Sequence, residues 1–248
     1  MKYIIEACVD SAESAIEAEK GGADRLELCS NLIIGGTTPS INLFKLVKEK
    51  VGIAINVLIR PRFGDFLYTE NELEIIKREI QMFKEAGANA VVIGVLKSDG
   101  TLDVENMKKL MNVAEGMKVT LHRAFDVCRD PFKTLEDAKT LGIDTILTSG
   151  QKNKCTEGLE LIKELVERSK GKVEILVGSG VNSTNADRII KHTNATSLHL
   201  SGRVDLDSGM EYRKEEVSMG LPLISEYTIQ RTSAEEIKKV RDLLVTGT

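Results

Sequence analysis

Tryptophan is absent from this chain of 248 residues, and cysteine is scarce. The four cysteines are Cys8, Cys29, Cys128 and Cys155. So few and so scattered cysteines cannot form a disulfide scaffold for a chain of this length. We therefore expect reduced thiols, which are typical of a cytoplasmic protein.

Long apolar segments are missing as well. None approaches the roughly 18 residues of a membrane-spanning helix, and Glu6 and Asp10 interrupt the apolar run at the N-terminus, which makes it a poor signal peptide. The net charge is -4 and the pI is near 5.6, so the chain has no general attraction to nucleic acid or to anionic membranes. We expect neither as a partner, and any anion binding must be local.

Several catalytic signatures are also missing. The sequence has no Walker loop, no Gly-x-Ser-x-Gly, no His-Glu-x-x-His, and no Gly-x-Gly-x-x-Gly after its first apolar run. Their absence argues against a nucleotide cofactor, a hydrolase triad and a zinc protease.

The chain does contain eight short apolar runs, each followed by a helix-like stretch, although the last of these stretches is delayed. The runs are Tyr3–Cys8, Leu26–Cys29, Ile53–Arg60, Ala90–Leu96, Val119–His122, Thr145–Thr148, Val173–Val177 and Ser197–Leu200. They lack the two-residue turns of hairpins, so parallel strands are expected. A (β/α)8 barrel of the TIM type typically needs about 250 residues. We predict that residues 1–248 form one such barrel, with an open doubly wound sheet as the alternative.

Capping residues support this alternation of strands and helices. Asp10 and Glu13 have the spacing of a capping box before the stretch 12–20, and Thr69 and Glu72 have it before a stretch that ends near residue 86. Asp130 precedes a proline at the first position of another helix. Thr232 and Glu235 are predicted to begin the last helix.

Polar residues are concentrated at the carboxyl-terminal ends of the runs. Residues two apart in a strand share a face, so Glu6 and Cys8 point the same way, as do Glu27 and Cys29 on the next run. An ionised glutamate inside a barrel costs several kcal/mol unless it is paired or coordinated. Both carboxylates and both thiols are therefore predicted to face the barrel mouth, while buried packing is the alternative for the thiols.

Three further runs end in residues that bind anions, metals or protons. Arg60 offers a planar fork for a carboxylate or phosphate, or else pairs internally with Glu27 or Asp65. His122 and Asp126 could form an oriented histidine–carboxylate pair that serves as a general acid or base or as a metal ligand. His199 ends the eighth run and has the same candidate roles, with a satisfied core histidine as the alternative for each.

Small residues follow the last two strands, where TIM barrels frequently bind phosphate. We predict ligand binding there and at the hydroxyl and amide groups after the sixth run, with tight turns as the alternative. These candidate ligand-binding residues are Gly178, Ser179, Gly180, Ser201, Gly202, Ser149 and Gln151.

At these residues the chain resembles the copper homeostasis proteins called CutC. The resemblance covers most of residues 4–202, including Gly22–Cys29, Gly35–Ser40, Ile59–Arg62, His122–Asp126 and Leu147–Gln151. It implies a TIM-type barrel, a cytoplasmic location, self-association into a homo-oligomer and a link to copper. It carries site roles over to the residues Glu6, Glu27, Arg60, His122, Asp126, Ser149, Gln151, His199 and Ser201, with Cys8 and Cys29 as the nearest thiols.

Two functions remain open from the sequence. In the first, Cys8 and Cys29 bind Cu(I), a soft ion that prefers thiolates. In the second, Arg60 and the glycine-rich loops hold a small anionic or phosphorylated substrate, Glu6 or Glu27 acts as base, and His122 acts as acid in an isomerase or lyase step. A divalent metal bound by glutamate and histidine would fit the second function as well.

The segment 205–231 before the last helix is predicted to be a long loop. It holds Met210, Tyr212, Met219 and Tyr227 among charged residues. It could cover the barrel mouth or contact another subunit, and a plain surface loop is the simplest expectation.

Overall fold

Eight parallel strands form a closed barrel in which each strand pairs with the next one along the chain and the eighth pairs with the first. The structure is a computed structural model that describes residues 3–214, 216–217, 219 and 225–246. The strands are β1 (Ile4–Val9), β2 (Arg25–Leu28), β3 (Ala54–Leu58), β4 (Ala90–Ile93), β5 (Lys118–Leu121), β6 (Thr145–Thr148), β7 (Glu174–Val177) and β8 (Ser197–Leu200). The predicted TIM-type barrel is confirmed, and the open-sheet alternative is wrong.

A helix follows each of the first seven barrel strands, and the eighth helix follows β8 after an intervening segment; these helices pack on the outside of the barrel. The helices are α1 (Ala12–Lys20), α2 (Ile41–Lys50), α3 (Glu70–Ala86), α4 (Val104–Val113), α5 (Pro131–Leu141), α6 (Leu159–Ser169), α7 (Ala186–Thr193) and α8 (Ala234–Thr246). Short 3-10 turns occupy Leu32–Ile34, Arg123–Val127 and Cys155–Glu157. Within the described part of the chain, no helix is long and apolar enough to cross a bilayer.

Two of the predicted helix starts are confirmed. Thr69 and Glu72 form a complete capping box at α3. The side chain of Asp130 accepts hydrogen bonds from the first backbone N–H groups of α5, which begins at Pro131.

Two other predicted starts are wrong. Ser11, rather than Asp10, caps α1, because its hydroxyl accepts the N–H of Ser14, while Asp10 accepts a hydrogen bond from the backbone of Leu32. Helix α8 begins at Ala234, and Thr232 is instead the last residue of a strand.

The strand register puts the alternating residues of β1 and β2 on the predicted faces. Ile5 and Leu26 are fully buried in the main apolar core between the strands and the helices. Glu6 is paired in register with Arg25, and Cys8 with Glu27, so these side chains share the inner face of the barrel. Several polar groups therefore lie inside the barrel rather than on its surface.

The segment 205–231 is not a loop throughout. Two antiparallel strands, β9 (Arg203–Asp207) and β10 (Thr228–Thr232), occupy its two ends. Thr232 ties the hairpin to the barrel, since its N–H donates to Ser14 Oγ at 3.1 Å and its hydroxyl donates to Ser201 O at 2.8 Å. Residues 215, 218 and 220–224 of this segment lie outside the described residues.

The carboxyl end of α1 packs closely against α8. Gly21 has an ordinary φ of -75°, but a Cβ there would lie 2.5 Å from Ala234 O and 2.6 Å from Ile237 Cβ. We expect Gly21→Ala to lower the free energy of unfolding by about 1–3 kcal/mol, because the overpacked contact must open. Urea denaturation measures this change. Gly209→Ala is the matched control, since no atom lies within 4 Å of the new Cβ, and equal effects of both substitutions would contradict the assigned packing.

Candidate functional site

A cavity of about 710 Å³ opens at the carboxyl ends of the strands, where TIM-barrel enzymes have their active sites. Its lining includes Cys8, Glu27, Arg60, Phe66, His122, Asp126, Ser179, Gly180, His199 and Ser201. A second cavity, of about 840 Å³, lies at the amino ends of the strands, around Arg25 and Glu174. Most of the predicted site residues line the first cavity, so we place the candidate site there.

Three potential metal ligands meet at the floor of the first cavity. The ligand atoms of Cys8 on β1, Glu27 on β2 and His199 on β8 all lie within 4.8 Å of one another. These strands are neighbours in the barrel, with β1 in the middle. The order of the strands therefore brings together residues that are far apart in the sequence.

Glu6 lies beneath this cluster and does not line the cavity. Its carboxylate is fully buried and accepts hydrogen bonds from Arg25 Nε at 2.6 Å, Asn56 Nδ2 at 3.0 Å and His199 Nδ1 at 2.9 Å. Burial raises the pKa of Glu6, but the His199 hydrogen bond and the charge of Arg25 outweigh it and hold that pKa below its ordinary value. Glu6 thus orients His199 and leaves Nε2 as the ring nitrogen available to a ligand.

Glu27 is the carboxylate that faces the cavity. Burial raises its pKa to about 7, against a partly opposing effect of His199. Its Oε1 atom accepts from Cys8 Sγ at 3.6 Å, and its Oε2 atom is buried with no hydrogen-bond partner. A buried oxygen without a partner is a natural place for a proton or a metal ion.

The two predicted thiol ligands lie next to each other, at different depths. The Sγ atoms of Cys8 and Cys29 are 4.0 Å apart. Cys8 lines the cavity, whereas Cys29 is fully buried behind it and donates to Val9 O at 3.5 Å. The hydrogen bond with Cys29, together with burial and the nearby carboxylates, raises the pKa of Cys8 well above its ordinary value, so Cys8 is a neutral thiol when no metal is bound.

Arg60 is buried in the wall of the cavity without an acidic partner. Its guanidinium donates to three carbonyl oxygens, those of Gly35, Gly36 and Gly64, and its Nε atom has no acceptor. Among the described residues, no carboxylate lies within ion-pairing distance of it, so the alternative pairing with Glu27 or Asp65 does not occur. Asp65 pairs instead with Arg62.

His122 does not pair with Asp126, which corrects the prediction. The Nδ1 atom of His122 accepts the N–H of Ala124 at 3.2 Å, because a 3-10 turn begins directly after the histidine. Its Nε2 atom is buried with no partner. Burial and the charge of Arg60 lower the pKa of His122 to about 3, so the imidazole is neutral and presents an Nε2–H donor.

Asp126 holds the loop after β6 in place. Its carboxylate accepts hydrogen bonds from the hydroxyl of Thr148, from the N–H and hydroxyl of Ser149, from the N–H of Gln151 and from Arg123 Nε. The amide of Gln151 donates to Cys128 O at 2.8 Å. Ser149 and Gln151, predicted to bind a ligand, therefore lie in the protein beside the cavity rather than in its lining.

Of the small residues after β7 and β8 that were predicted to bind a ligand, some line the cavity and others do not. Ser179, Gly180 and Ser201 line the cavity. Gly178 directly follows β7 and donates its N–H to Thr148 O, and a Cβ there would lie 2.7 Å from Leu147 Cδ1 and 3.3 Å from the His199 ring. Gly202 packs against Ile237 of α8, 2.7 Å from where its Cβ would lie.

Four residues of the site were missed in the sequence. Arg25 and Asn56 bind Glu6, Phe66 packs against the His122 ring at 4.7 Å between ring centroids, and Gly94 leaves room for that ring. A Cβ on Gly94 would lie 2.6 Å from the imidazole. Asn56 could have been recognised as a site residue from the sequence, because it is a polar residue in the middle of an apolar run and shares a face with Arg60.

The fold and the site together define a TIM-type barrel with cationic side chains and side chains that could ligate a metal at its mouth. A profile of the CutC family matches residues 3–204. The chain is 46% identical over 242 residues to the human copper homeostasis protein cutC homolog, covering 97% of this chain and 88% of the human protein. It is 48% identical over 240 residues to a CutC family protein of Parabacteroides distasonis, covering 96% of this chain and 99% of that protein.

A solved structure agrees with these sequence comparisons. The crystal structure of the CutC protein of Streptococcus agalactiae superimposes with a TM-score of 0.76 and 34% identity, covering 80% of this chain and 98% of that one. The chain belongs to the CutC family of copper homeostasis proteins, which confirms the resemblance.

The buried neutral imidazole of His122 predicts a pH-dependent stability. Its pKa rises from about 3 in the folded chain to its ordinary 6.5 on unfolding, so the unfolded state binds an extra proton between these values and the free energy of unfolding falls with falling pH. In His122→Asn, the amide oxygen can replace Nδ1 as acceptor but does not titrate. We expect the wild type to lose about 2 kcal/mol relative to this variant between pH 7 and pH 5.

Urea denaturation of both proteins at pH 7, 6 and 5 measures this difference. His192→Asn is the control for the loss of a histidine, because His192 is partly exposed on α7. Parallel pH profiles for the wild type and His122→Asn would show that His122 is not held neutral.

Proposed function

We propose that this chain binds copper as Cu(I) at the floor of the mouth cavity, with Cys8 and Cys29 as the primary ligands. The observation that carries the proposal is the pair of Sγ atoms 4.0 Å apart beside His199 and Glu27. Relatives with similar sequences are named copper homeostasis proteins, which supports copper as the ion.

The distance between the thiols fits one shared metal ion. A metal–thiolate bond of about 2.3 Å, as measured for zinc, allows two sulfur atoms on one ion to be up to about 4.6 Å apart. Cu(I) is soft and prefers thiolate ligands, so the two cysteines favour it over harder ions. Because Cys8 is a neutral thiol in the metal-free protein, binding releases a proton from it and strengthens with rising pH.

His199 is suited to be a third ligand. Glu6 holds its Nδ1–H, which fixes the ring, as carboxylates do behind metal-ligating histidines in many proteins. The combination of Cys8, Glu27 and His199 offers one sulfur, one oxygen and one nitrogen, which is a set for a divalent ion such as Zn²⁺. The two ligand sets share Cys8 and differ in Cys29, so single substitutions separate them.

Copper titration of single variants tests the dithiolate site. We expect Cys8→Ser and Cys29→Ser each to weaken Cu(I) binding at least about 100-fold, because a hydroxyl does not replace a thiolate for a soft ion. Glu27→Gln should change the affinity less than about threefold. The measurement is anaerobic competition with a chromophoric Cu(I) chelator, and X-ray absorption reports the number of sulfur ligands.

The double variant Cys128→Ser, Cys155→Ser is the matched control, because both cysteines are buried away from the cavity lining. Unchanged copper stoichiometry in Cys8→Ser plus Cys29→Ser would end the proposal. Loss of binding in Cys8→Ser and Glu27→Gln, with Cys29→Ser unaffected, would replace it with the divalent site.

A second candidate is an isomerase or lyase that acts next to a carbonyl group. It is favoured by Glu27, whose pKa of about 7 suits a general base. The Oε2 atom of Glu27 has no hydrogen-bond partner, and the imidazole of His199 lies close to this carboxylate. In this function Glu27 removes a proton from the carbon next to the carbonyl. His199 takes the acid role that the sequence assigned to His122, since the pKa of His122 lies too low for it.

Deuterium exchange tests the second candidate. Proton abstraction by Glu27 should incorporate deuterium from D₂O into a small hydroxy or keto acid, and NMR detects the loss of the carbon-bound proton signal. Glu27→Gln should slow this exchange at least about 100-fold, because the amide cannot accept the proton. Equal exchange with the wild type and with Glu27→Gln would exclude Glu27 as the base.

A further inference from the structure

The cavity wall opposite the thiols contains a buried positive charge that no protein group neutralises. Arg60 is 8% exposed, and its three hydrogen-bond acceptors are all neutral carbonyl oxygens. Its Nε–H has no acceptor in the protein, and the nearby hydroxyl of Tyr68 is neutral, because burial raises the pKa of Tyr68 to about 12. A charge buried without a counter-ion destabilises the folded state. The fold retains this charge at a residue that lines the mouth cavity.

A second donor without a partner lies in the same cavity. His122 is 5% exposed, and its Nδ1 atom is occupied by the N–H of Ala124, so the neutral ring carries its proton on Nε2. That Nε2 atom is buried without an acceptor. Phe66 contacts both groups, with its ring centroid 4.7 Å from the His122 ring and 5.0 Å from the Arg60 guanidinium carbon. Arg60 and His122 therefore present two unused donors within one small region.

The missing group must accept hydrogen bonds and carry negative charge. A water molecule could accept from His122 Nε2, but it would leave Arg60 without a counter-charge. An oxyanion supplies both a hydrogen-bond acceptor for His122 Nε2 and a counter-charge for Arg60. The other two arginines that line the cavity are less suited to bind the anion, because each already has a carboxylate nearby. Arg123 pairs with Asp126, and Arg203 lies near Asp205.

The charge and the size of the cavity indicate the kind of anion. Arg60 supplies one unpaired positive charge and His122 is a neutral donor, which suits a monoanionic carboxylate better than a dianionic phosphate. A volume of about 710 Å³ is in the range of small-molecule sites and far exceeds one carboxylate group. The rest of the ligand then extends toward Cys8, Glu27 and His199, which line the same cavity.

We propose that Arg60 and His122 form a binding site for the carboxylate group of a small organic acid, separate from the thiol pair. The site needs neither copper nor catalysis, so it holds for either function proposed above. If copper also binds, the acid and the ion occupy one cavity, and the natural ligand of the protein includes a small carboxylic acid.

The test uses the full chain without metal, after treatment with a chelator. Lactate, propionate, succinate and inorganic phosphate are titrated at constant ionic strength against chloride, with calorimetry and the thermal midpoint as readouts. We expect saturable binding and a raised midpoint with the carboxylates, and a weaker effect with phosphate. Stronger binding of phosphate than of every carboxylate would overturn the assignment, and no saturable binding of any anion would overturn the site.

Variants locate the binding. Arg60→Met should weaken carboxylate binding at least about tenfold, and His122→Asn should weaken it about five- to tenfold, since each removes one donor to a charged group. Arg203→Met is the matched control, because it removes a positive charge from the same cavity at a partly exposed position and should change the affinity less than twofold. Equal losses in all three variants would indicate a general charge effect and contradict the site.

A measurement on the wild type covers the case in which Arg60→Met does not fold. The ¹⁵N–¹H signal of His122 Nε2 should shift, and its exchange with water should slow, when a carboxylate saturates the protein. An unmoved signal at saturation would overturn the assignment of His122. Cys29→Ser should bind the carboxylate as the wild type does, because Cys29 does not line the cavity, so a failure of the copper proposal is distinguishable from a failure of this one.

Discussion

The ion pair of Glu6 with Arg25 inside the barrel determines the form of the site. Glu6 is fully buried, and it is stable there as a carboxylate because Arg25, Asn56 and His199 all donate to it. These partners come from β2, β3 and β8, so one carboxylate ties together a set of neighbouring strands. It also fixes the His199 ring, and through that ring it fixes the geometry at the cavity floor. Loss of Arg25 would leave the Glu6 carboxylate without its arginine counter-charge in the barrel interior.

This arrangement separates the barrel mouth into two regions of different chemistry. One region contains the thiols with Glu27 and His199, and it offers ligand atoms to a cation. The other contains Arg60 and His122, and it offers donors to an anion. A cavity that presents both is suited to a ligand of mixed character, whether that is a metal ion with an organic acid or one molecule with an anionic end.

Much of the fold could be predicted from the sequence, because it depends on local rules. Eight apolar runs with helical stretches between them give the barrel, and the spacing of Thr69 and Glu72 gives a helix start. The alternation of side chains along a strand was enough to place Glu6, Cys8, Glu27 and Cys29 on the inner face. The hairpin of β9 and β10 was missed, although Val204 and Leu206 alternate with charged residues as strand residues do.

The roles of single side chains could be predicted less well, because they depend on loops. His122 and Asp126 are near in sequence, yet the 3-10 turn between them directs Asp126 toward the loop after β6. Nothing in the local sequence specifies that turn. The depth of each side chain in the barrel could not be predicted either. Glu6 and Glu27 occupy the same position in the Glu-x-Cys pattern, but only Glu27 lines the cavity.

Gly94 carries no chemistry of its own, yet it determines the shape of the cavity. The imidazole of His122 occupies the space where a side chain at position 94 would begin, 2.6 Å from its Cβ position. Any larger residue there would displace the ring inward and reduce the volume open to a ligand. The shape of the cavity thus depends on a residue outside its lining.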